Sequence, residues 1–350
     1  MNAILSFARD QAQVARPKNR LLIWMQRVLL GLVITLVALG ATGAIYQAIG
    51  AQSDKRSFPL PGQLYDVGGF RMHIYCTGPQ DTDNPTVILE TLSGGTSANW
   101  GWIQPEIAKV TRVCSYDRAG LGWSDPSSKP DTLQQTVDDL HTLLQKARII
   151  GPYVLVGHSI GGIYARMYAA KYPDEVVGIA LVDSSHPDQF ARVAELQAEL
   201  ESESHNAAIF ASLARLGIWR LYFATGGETD FGDLPPQRHD DVAAFWSSPE
   251  YFDSHHAEIV AEPAIFGEAH ALGSLGNLPL AVISRGNEPP AYWVELQDEL
   301  AMLSSNSIHI TVAGSTHASL ALNPKHASET SRAILQVVEA ARTGRLLASK

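Results

Sequence analysis

The stretch Val154-Leu155-Val156-Gly157-His158-Ser159-Ile160-Gly161-Gly162 decides how the rest of the chain is read. Tyr153 to Val156 is a short apolar run of the kind that forms a buried strand. The run breaks at Gly157-His158-Ser159-Ile160-Gly161, and an alanine-rich, helix-favouring segment, Ile163 to Lys171, follows. The pattern is strand, tight turn, helix, with Ser159 at the apex and a glycine two residues away on each side. Such a turn forces the serine into a strained backbone conformation. A Cβ on either flanking glycine position would clash with the adjoining helix and strand. A plain glycine turn shares the bare Gly-x-Ser-x-Gly pattern, but the flanking strand and helix are the context a raised nucleophile requires. The Ser159 hydroxyl would stand clear of the sheet. The backbone N–H of Ile160, at a helix N-terminus, could bind a developing oxyanion beside it.

Working outward, apolar runs alternate with helical patterns. Leu64 to Val67 and Arg71 to Cys76 flank a Gly68-Gly69 turn and read as a hairpin. Further strands are expected at Thr86–Glu90, Arg112–Tyr116, Val176–Asp183, Leu278–Arg285 and Ser307–Val312. Leu133, Val137, Leu140 and Leu144 recur at helical spacing in a segment from Thr132 to Lys146, with Asp131 as its expected N-cap. A helix from Lys325 to Arg342 closes the chain. Alternation of this kind predicts an α/β fold with a mostly parallel, eight-stranded sheet covered on both faces. The core is expected over 63–185 and 276–350. Between them, 186–275 is helical and rich in Phe, Trp and Tyr, and reads as a helical cap over the site.

The N-terminus has a different character. Residues 1–20 are polar and basic, with Arg9, Arg16, Lys18 and Arg20. An uncharged run from Val28 to Ile49 follows Arg27. As a helix it would be roughly 33 Å long, enough for a hydrocarbon core of about 30 Å. Trp24 and Tyr46 stand near the two ends, as interfacial aromatics do. Residues 21–50 are therefore expected to be a transmembrane signal anchor, with a cleaved signal peptide as the competing reading. The excess of basic residues before the span predicts a cytoplasmic N-terminus and an extracytoplasmic catalytic domain. Residues 51–62, ending in Ser-Phe-Pro-Leu-Pro-Gly, read as a linker.

The chain has 350 residues, 45% of them hydrophobic and 18% charged, with a formal net charge of −10. That balance argues against a nucleic-acid partner, which calls for a basic face. The two cysteines, Cys76 and Cys114, read as buried thiols, with a single bridge open if the domain is extracytoplasmic. No metal cluster stands at ligand spacing. The adjacent His255-His256 reads as a solvated pair on a helix.

A serine hydroxyl needs a base. His317, in the loop Ala313-Gly314-Ser315-Thr316-His317 after the last strand, would reach the sheet edge where Ser159 sits. His326, one turn into a helix, reads as surface. The acid that orients the imidazole is expected to be Asp183, which ends the strand after the elbow helix; Glu288, after the next strand, is the alternative. The second oxyanion donor is expected to be the Ser93 N–H, in the turn Glu90-Thr91-Leu92-Ser93-Gly94-Gly95.

With these residues in hand the chain resembles the α/β-hydrolase fold family over roughly Gln63 to Leu347. The resemblance rests on Asp117-Arg118-Ala119-Gly120-Leu121-Gly122-Trp123-Ser124-Asp125, on the elbow, on Tyr172-Pro173 to Asp183, and on Gly314-Ser315-Thr316-His317. The Asp-Arg-x-Gly-x-Gly-x-Ser run is similar to the proline-iminopeptidase, esterase and dehalogenase-like branches. Its implied role is a loop bracing the elbow. The resemblance implies Ser159 as nucleophile and His317 as base. Thr91-Leu92 replaces the usual His-Gly after the third strand, and the usual Asp after the penultimate strand is missing. Serine at the apex argues against the dehalogenase and epoxide-hydrolase branches. The expected function is a serine hydrolase cleaving a small carboxylic ester or amide without a cofactor. An aminopeptidase would show acidic residues for a substrate amine, for which Glu201, Glu203, Glu258 and Glu262 are candidates. A ligand-binding module on the same fold, or a non-hydrolytic enzyme of that fold, are the alternatives.

Overall fold

The computed structural model describes residues 20–80, 83–227 and 233–347. The basic segment 1–20 therefore lies, apart from Arg20, outside the described residues. Eight strands form one sheet: β1 (Gln63–Asp66), β2 (Arg71–Thr77), β3 (Thr86–Glu90), β4 (Val113–Tyr116), β5 (Tyr153–His158), β6 (Val176–Val182), β7 (Leu280–Gly286) and β8 (Ser307–Ala313). Their order is β1-β2-β4-β3-β5-β6-β7-β8. The β1–β2 and β2–β4 pairs are antiparallel and the other pairs are parallel.

The strands are apolar on both faces because both faces are covered. Along β5, Val154 and Val156 join one core cluster while Leu155 joins the other. Along β7, Ala281 and Ile283 alternate with Leu280 and Val282 in the same way. The helices are α1 (Arg20–Ser57), α2 (Ile103–Ile107), α3 (Leu133–Lys146), α4 (Gly161–Lys171), α5 (Gln189–Arg192), α6 (Ala194–Arg215), α7 (Ile218–Ala224), α8 (Pro236–Trp246), α9 (Pro249–Ala269), α10 (Ala291–Ala301), α11 (Ser319–Leu322) and α12 (Pro324–Thr343). Ala327, Ile334, Val337 and Val338 of α12 cover one face of the sheet, and Val137, Leu140, Leu144 and Tyr168 of α3 and α4 cover the other. Thr132, not Asp131, caps α3, its side chain accepting from Gln135 N at 3.1 Å. The elements α5 to α9 form a helical insertion between β6 and β7.

α1 runs for 38 residues and has a best-window mean hydropathy of 2.4, long and apolar enough to cross a membrane. It continues through Ser57, so most of the expected 51–62 linker is helix. Distant residues hold that extension. Arg220 of α7 donates to Asp54 Oδ2 at 2.7 Å and to Gln47 Oε1 at 3.0 Å. The Gln47 amide donates to the Ser247 carbonyl at 2.7 Å. At Gly43 a Cβ would lie 2.2 Å from the Leu216 carbonyl oxygen, so only glycine permits this approach. The C-terminal half of α1 is thus seated on the helical insertion.

Cys76 and Cys114 are paired as a disulfide, against the expectation of buried thiols. They face each other in register across the β2–β4 pair. That neighbour relation is invisible in sequence, because β3 intervenes in the chain yet lies on the far side of β4.

Candidate active site

Ser159 has φ +56°, the strained left-handed conformation that a sharp strand-to-helix turn imposes. The turn is closed by backbone hydrogen bonds. Ser159 N donates to the Val182 carbonyl at 3.1 Å, and the Ser159 carbonyl accepts from Gly162 N and Ser185 N, both at 3.0 Å. The flanking glycines are sterically required. A Cβ at Gly157 would sit 2.4 Å from the Gly161 carbonyl carbon, and one at Gly161 would sit 2.7 Å from the carbonyl oxygens of Glu90 and Thr91. Ser159 itself stays half-buried, so its side chain is reachable.

His317 lies in the loop after β8. Its Nδ1 is 2.6 Å from Asp183 Oδ2. Its carbonyl accepts from the His158 ring Nε2 at 3.0 Å, which ties the histidine loop to the end of β5 immediately before Ser159. The two rings are 4.7 Å apart between centroids. His158 was not singled out in the sequence. Burial first, and the neighbouring His317 second, pull its pKa down to about 3, so it is neutral and donates from Nε2.

Asp183 is fully buried and also has a positive φ, +41°. Its Oδ1 accepts from the Trp293 indole N–H at 2.7 Å and from Arg285 N at 3.1 Å. The Arg285 guanidinium stands 3.6 Å from Oδ2 and lies over the Trp293 ring. Burial alone would raise the Asp183 pKa. The His317 hydrogen bond and charge, then Arg285 and Trp293, outweigh burial and hold it below the usual carboxylate range. Glu288 also has a positive φ, +48°, but it is exposed and makes no hydrogen bond or ion pair among the described residues. The structure therefore brings Asp183, and not Glu288, to His317. Trp293 and Arg285 were missed in the sequence. The available signal was a tryptophan opening the helix after β7, whose N–H needs a partner when buried.

The turn after β3 is held from outside itself. Arg118, buried, donates to the Thr91 carbonyl at 3.0 Å and the Leu92 carbonyl at 2.7 Å. The same guanidinium pairs with Glu90 at 2.5 Å and with Glu258 of α9 at 2.6 Å. Gly94, at φ +62°, donates its N–H to Glu258 Oε2 at 2.9 Å, and its carbonyl accepts from the Tyr251 hydroxyl at 2.7 Å. The Asp-Arg-x-Gly-x-Gly-x-Ser loop thus braces this turn through Arg118, whose guanidinium also lies 5.5 Å over the Tyr164 ring of α4, the helix that leaves the elbow. Asp117 of the same loop binds His73 Nδ1 at 2.8 Å and Ser97 N at 2.6 Å. The backbone N–H groups of Ile160 and Ser93 have no acceptor among the described residues.

The acids of the insertion divide. Glu201 is exposed and bonded by Gln197, and Glu258 is taken up by Arg118 and Gly94. Burial pushes Glu262 up to about 8 beside Ser93. Desolvation, then Glu199, raises the surface-exposed Glu203, with the His317 charge opposing, so Glu203 lies within electrostatic reach of His317. Burial pushes Glu90 up to about 7 despite Arg118. His255 is not the solvated residue expected. It is half-buried over Gly94, where an added Cβ would lie 2.6 Å from its ring, and burial lowers its pKa. His326 is likewise half-buried, bonded to Ser319 Oγ at 3.0 Å.

His186, Asp188 and Glu299 bring three donor atoms within 4.8 Å of one another, a grouping the sequence did not suggest. Arg192 already clamps both Glu299 oxygens at 2.8 Å, and His270 pairs with Asp188 at 2.7 Å. Both carboxylates are thus already engaged by side chains of the chain itself.

Residues 84–218 match the α/β-hydrolase fold family. An uncharacterized protein from Schizosaccharomyces pombe is 28% identical over 295 residues, 73% of this chain and 52% of that protein. An uncharacterized vacuolar membrane protein from Saccharomyces cerevisiae is 31% identical over 134 residues, 34% of this chain and 21% of that protein. The chain thus spans about half the length of the first relative and a fifth of the second. Among solved structures, the Cif epoxide hydrolase from Acinetobacter nosocomialis superposes with a TM-score of 0.65 at 15% identity, covering 83% of this chain and 96% of that one. The strand order, the elbow and these matches show the α/β-hydrolase fold, a fold that fits a hydrolase.

Proposed function

We propose that the chain is a membrane-anchored serine hydrolase that cleaves a carboxylic ester or an amide through an acyl-enzyme. Ser159 attacks the carbonyl carbon. His317 takes its proton at Nε2 and returns it to the leaving group, and water then releases the acid by the same relay. Asp183 fixes the tautomer by accepting from His317 Nδ1. The N–H groups of Ile160 and Ser93 receive the oxyanion. The helical insertion acts as a cap, and its aromatic side chains suit a small or acyl-chain substrate. The observation that carries this reading is the 2.6 Å contact of His317 with a buried Asp183, in a loop tied through His158 to the turn that holds Ser159 at φ +56°. An epoxide-hydrolase reading, suggested by the structural neighbour, lacks an acid at the apex of the turn.

For the membrane, α1 is read as an uncleaved anchor with its N-terminus in the cytoplasm and the hydrolase domain outside. The seating of Gly43, Gln47 and Asp54 on the insertion supports retention of α1, and the Cys76–Cys114 disulfide suits an oxidising compartment. The test of the chemistry is labelling with a fluorophosphonate probe. The full chain should label and Ser159→Ala should not. Absence of labelling, or equal labelling of the variant, overturns the proposal.

A further inference from the structure

The α6–α7 junction carries a surface that soluble packing does not explain. Leu216, Ile218 and Leu221 are 43%, 43% and 56% exposed, on consecutive turns beside α1. α6 and α7 meet at a bend of 79°, with Gly217 in the left-handed conformation at φ +70°. Gly217 backs directly onto α1, where an added Cβ would lie 2.9 Å from the Gly43 carbonyl oxygen and 3.0 Å from the Tyr46 ring. The junction is therefore fixed at a known level of α1.

That level can be placed against a bilayer. The last large apolar side chain of α1 is Ile49, ahead of the charged Asp54, Lys55 and Arg56. Gly43 lies six residues before it, about 9 Å below this outer boundary at 1.5 Å per residue. The charged group of α7 stands higher. Arg220 reaches Gln47 and Asp54, on either side of that boundary. Tyr46 stands at the same level, as aromatic-belt residues do. Polar at the boundary, apolar some 9 Å beneath, is the profile of a helix lying in an interface, whose apolar face sinks about 5–10 Å.

We infer that the α6–α7 elbow is a second membrane contact, with Leu216, Ile218 and Leu221 inserted into the acyl–headgroup boundary of the outer leaflet beside α1. The inference rests on α1 spanning the bilayer, as proposed above. The occupant of this face is lipid: the apolar face continues that of α1, whose own exposed side chains call for the same surroundings. The consequence is a domain held at a fixed tilt by two contacts, and not one swinging on a single tether.

The test uses the full chain in phosphatidylcholine vesicles without reductant, so that the native cysteines stay paired. Single cysteines are introduced as Ile218→Cys or Leu221→Cys and labelled with bimane, with Leu32→Cys in the apolar run of α1 and Ile150→Cys, 79% exposed between α3 and β5, as references. Doxyl-labelled phosphatidylcholine should quench the Ile218 and Leu221 labels to within about two-fold of the Leu32 label, and at least about five-fold more than the Ile150 label. Quenching at Leu32 with the elbow labels at the Ile150 level overturns the second contact and leaves the anchor standing. Absence of quenching at Leu32 removes the spanning reading, and the inference with it. Elbow labels shielded from aqueous iodide yet unquenched by lipid assign the face to a second copy of the chain and overturn lipid as the occupant.

Discussion

Replacing Asp183 by asparagine isolates the contact on which the proposed chemistry turns. The side chain is fully buried and accepts three hydrogen bonds, from Trp293, Arg285 N and His317. Asparagine has the same shape. Its carbonyl can still accept from Trp293 and Arg285 N, which leaves its amide NH₂ facing His317 Nδ1. A donor there forces Nδ1 to accept, and the imidazole proton moves to Nε2. That nitrogen can no longer take the proton of Ser159. The same substitution in serine hydrolases with this triad lowers kcat by about 10⁴, or about 5 kcal/mol at 1.36 kcal/mol per decade. Arg285 would lose a charged neighbour, but it stays stacked on Trp293, so the fold should survive. The assay is kcat on a p-nitrophenyl ester, with a circular-dichroism melt as the folding control. Glu288→Gln, assayed in parallel, should leave kcat within about two-fold, because that side chain is exposed and unbonded. The reasoning is refuted if folded Asp183→Asn keeps more than about a tenth of the activity, or if Glu288→Gln falls as far.

Arg118→Met leaves the buried carboxylates of Glu90 and Glu258 facing each other without their cation. It should lose about 3–5 kcal/mol in a urea melt at pH 8, and less at pH 5, where one carboxylate can protonate; equal stability at pH 8 would discard the brace. Glu262 has a folded pKa of about 8 against an ordinary 4.5, so its contribution is fully present below pH 4.5 and is lost as pH rises through 8. Wild-type stability should therefore fall relative to Glu262→Gln between pH 5 and 8, with a limiting slope of about 1.4 kcal/mol per pH unit; parallel pH curves would contradict it. The Cys76–Cys114 bridge closes a separation of 38 residues, worth about 4 kcal/mol in the chain-entropy picture. Dithiothreitol should lower the melting temperature of the wild type but not of the Cys76→Ser, Cys114→Ser double variant, and an unchanged wild type would show the bridge to be dispensable.

What the sequence made legible was what is local or periodic. The eight strands could be read because burial on both faces makes them continuous apolar runs, and the elbow because its glycines obey a steric rule within five residues. What escaped depends on contacts between distant segments. Asp183 and Glu288 occupy equivalent places, each after a parallel strand and each at positive φ. The choice between them is made by Trp293 and Arg285, which close over only one. The end of α1 was read as a linker because Asp54 looks like a solvated charge until Arg220, 166 residues away, pairs with it. The Asp-Arg-x-Gly-x-Gly-x-Ser run reads as an elbow brace on resemblance, and its Arg118 hydrogen bonds fall one step away, on the end of β3, the turn after it and α9.

That last displacement bears on how the oxyanion donor is set without the usual His-Gly. The turn Thr91 to Gly94 has no bulky anchor of its own. Four of its backbone groups are instead held by side chains from elsewhere: Thr91 and Leu92 carbonyls by Arg118, the Gly94 N–H by Glu258, and the Gly94 carbonyl by Tyr251. Two of those three side chains belong to α9, within the helical insertion. The direction of the Ser93 N–H, set between Leu92 and Gly94, therefore depends on a helix inserted some 160 residues later in the chain. An insertion that only shielded the site could be shortened at the expense of substrate affinity alone. One that also fixes an oxyanion donor could not, because preorganisation of that donor acts on the transition state and so on kcat. On the proposed function, α9 is therefore part of the catalytic scaffold as much as of the cover.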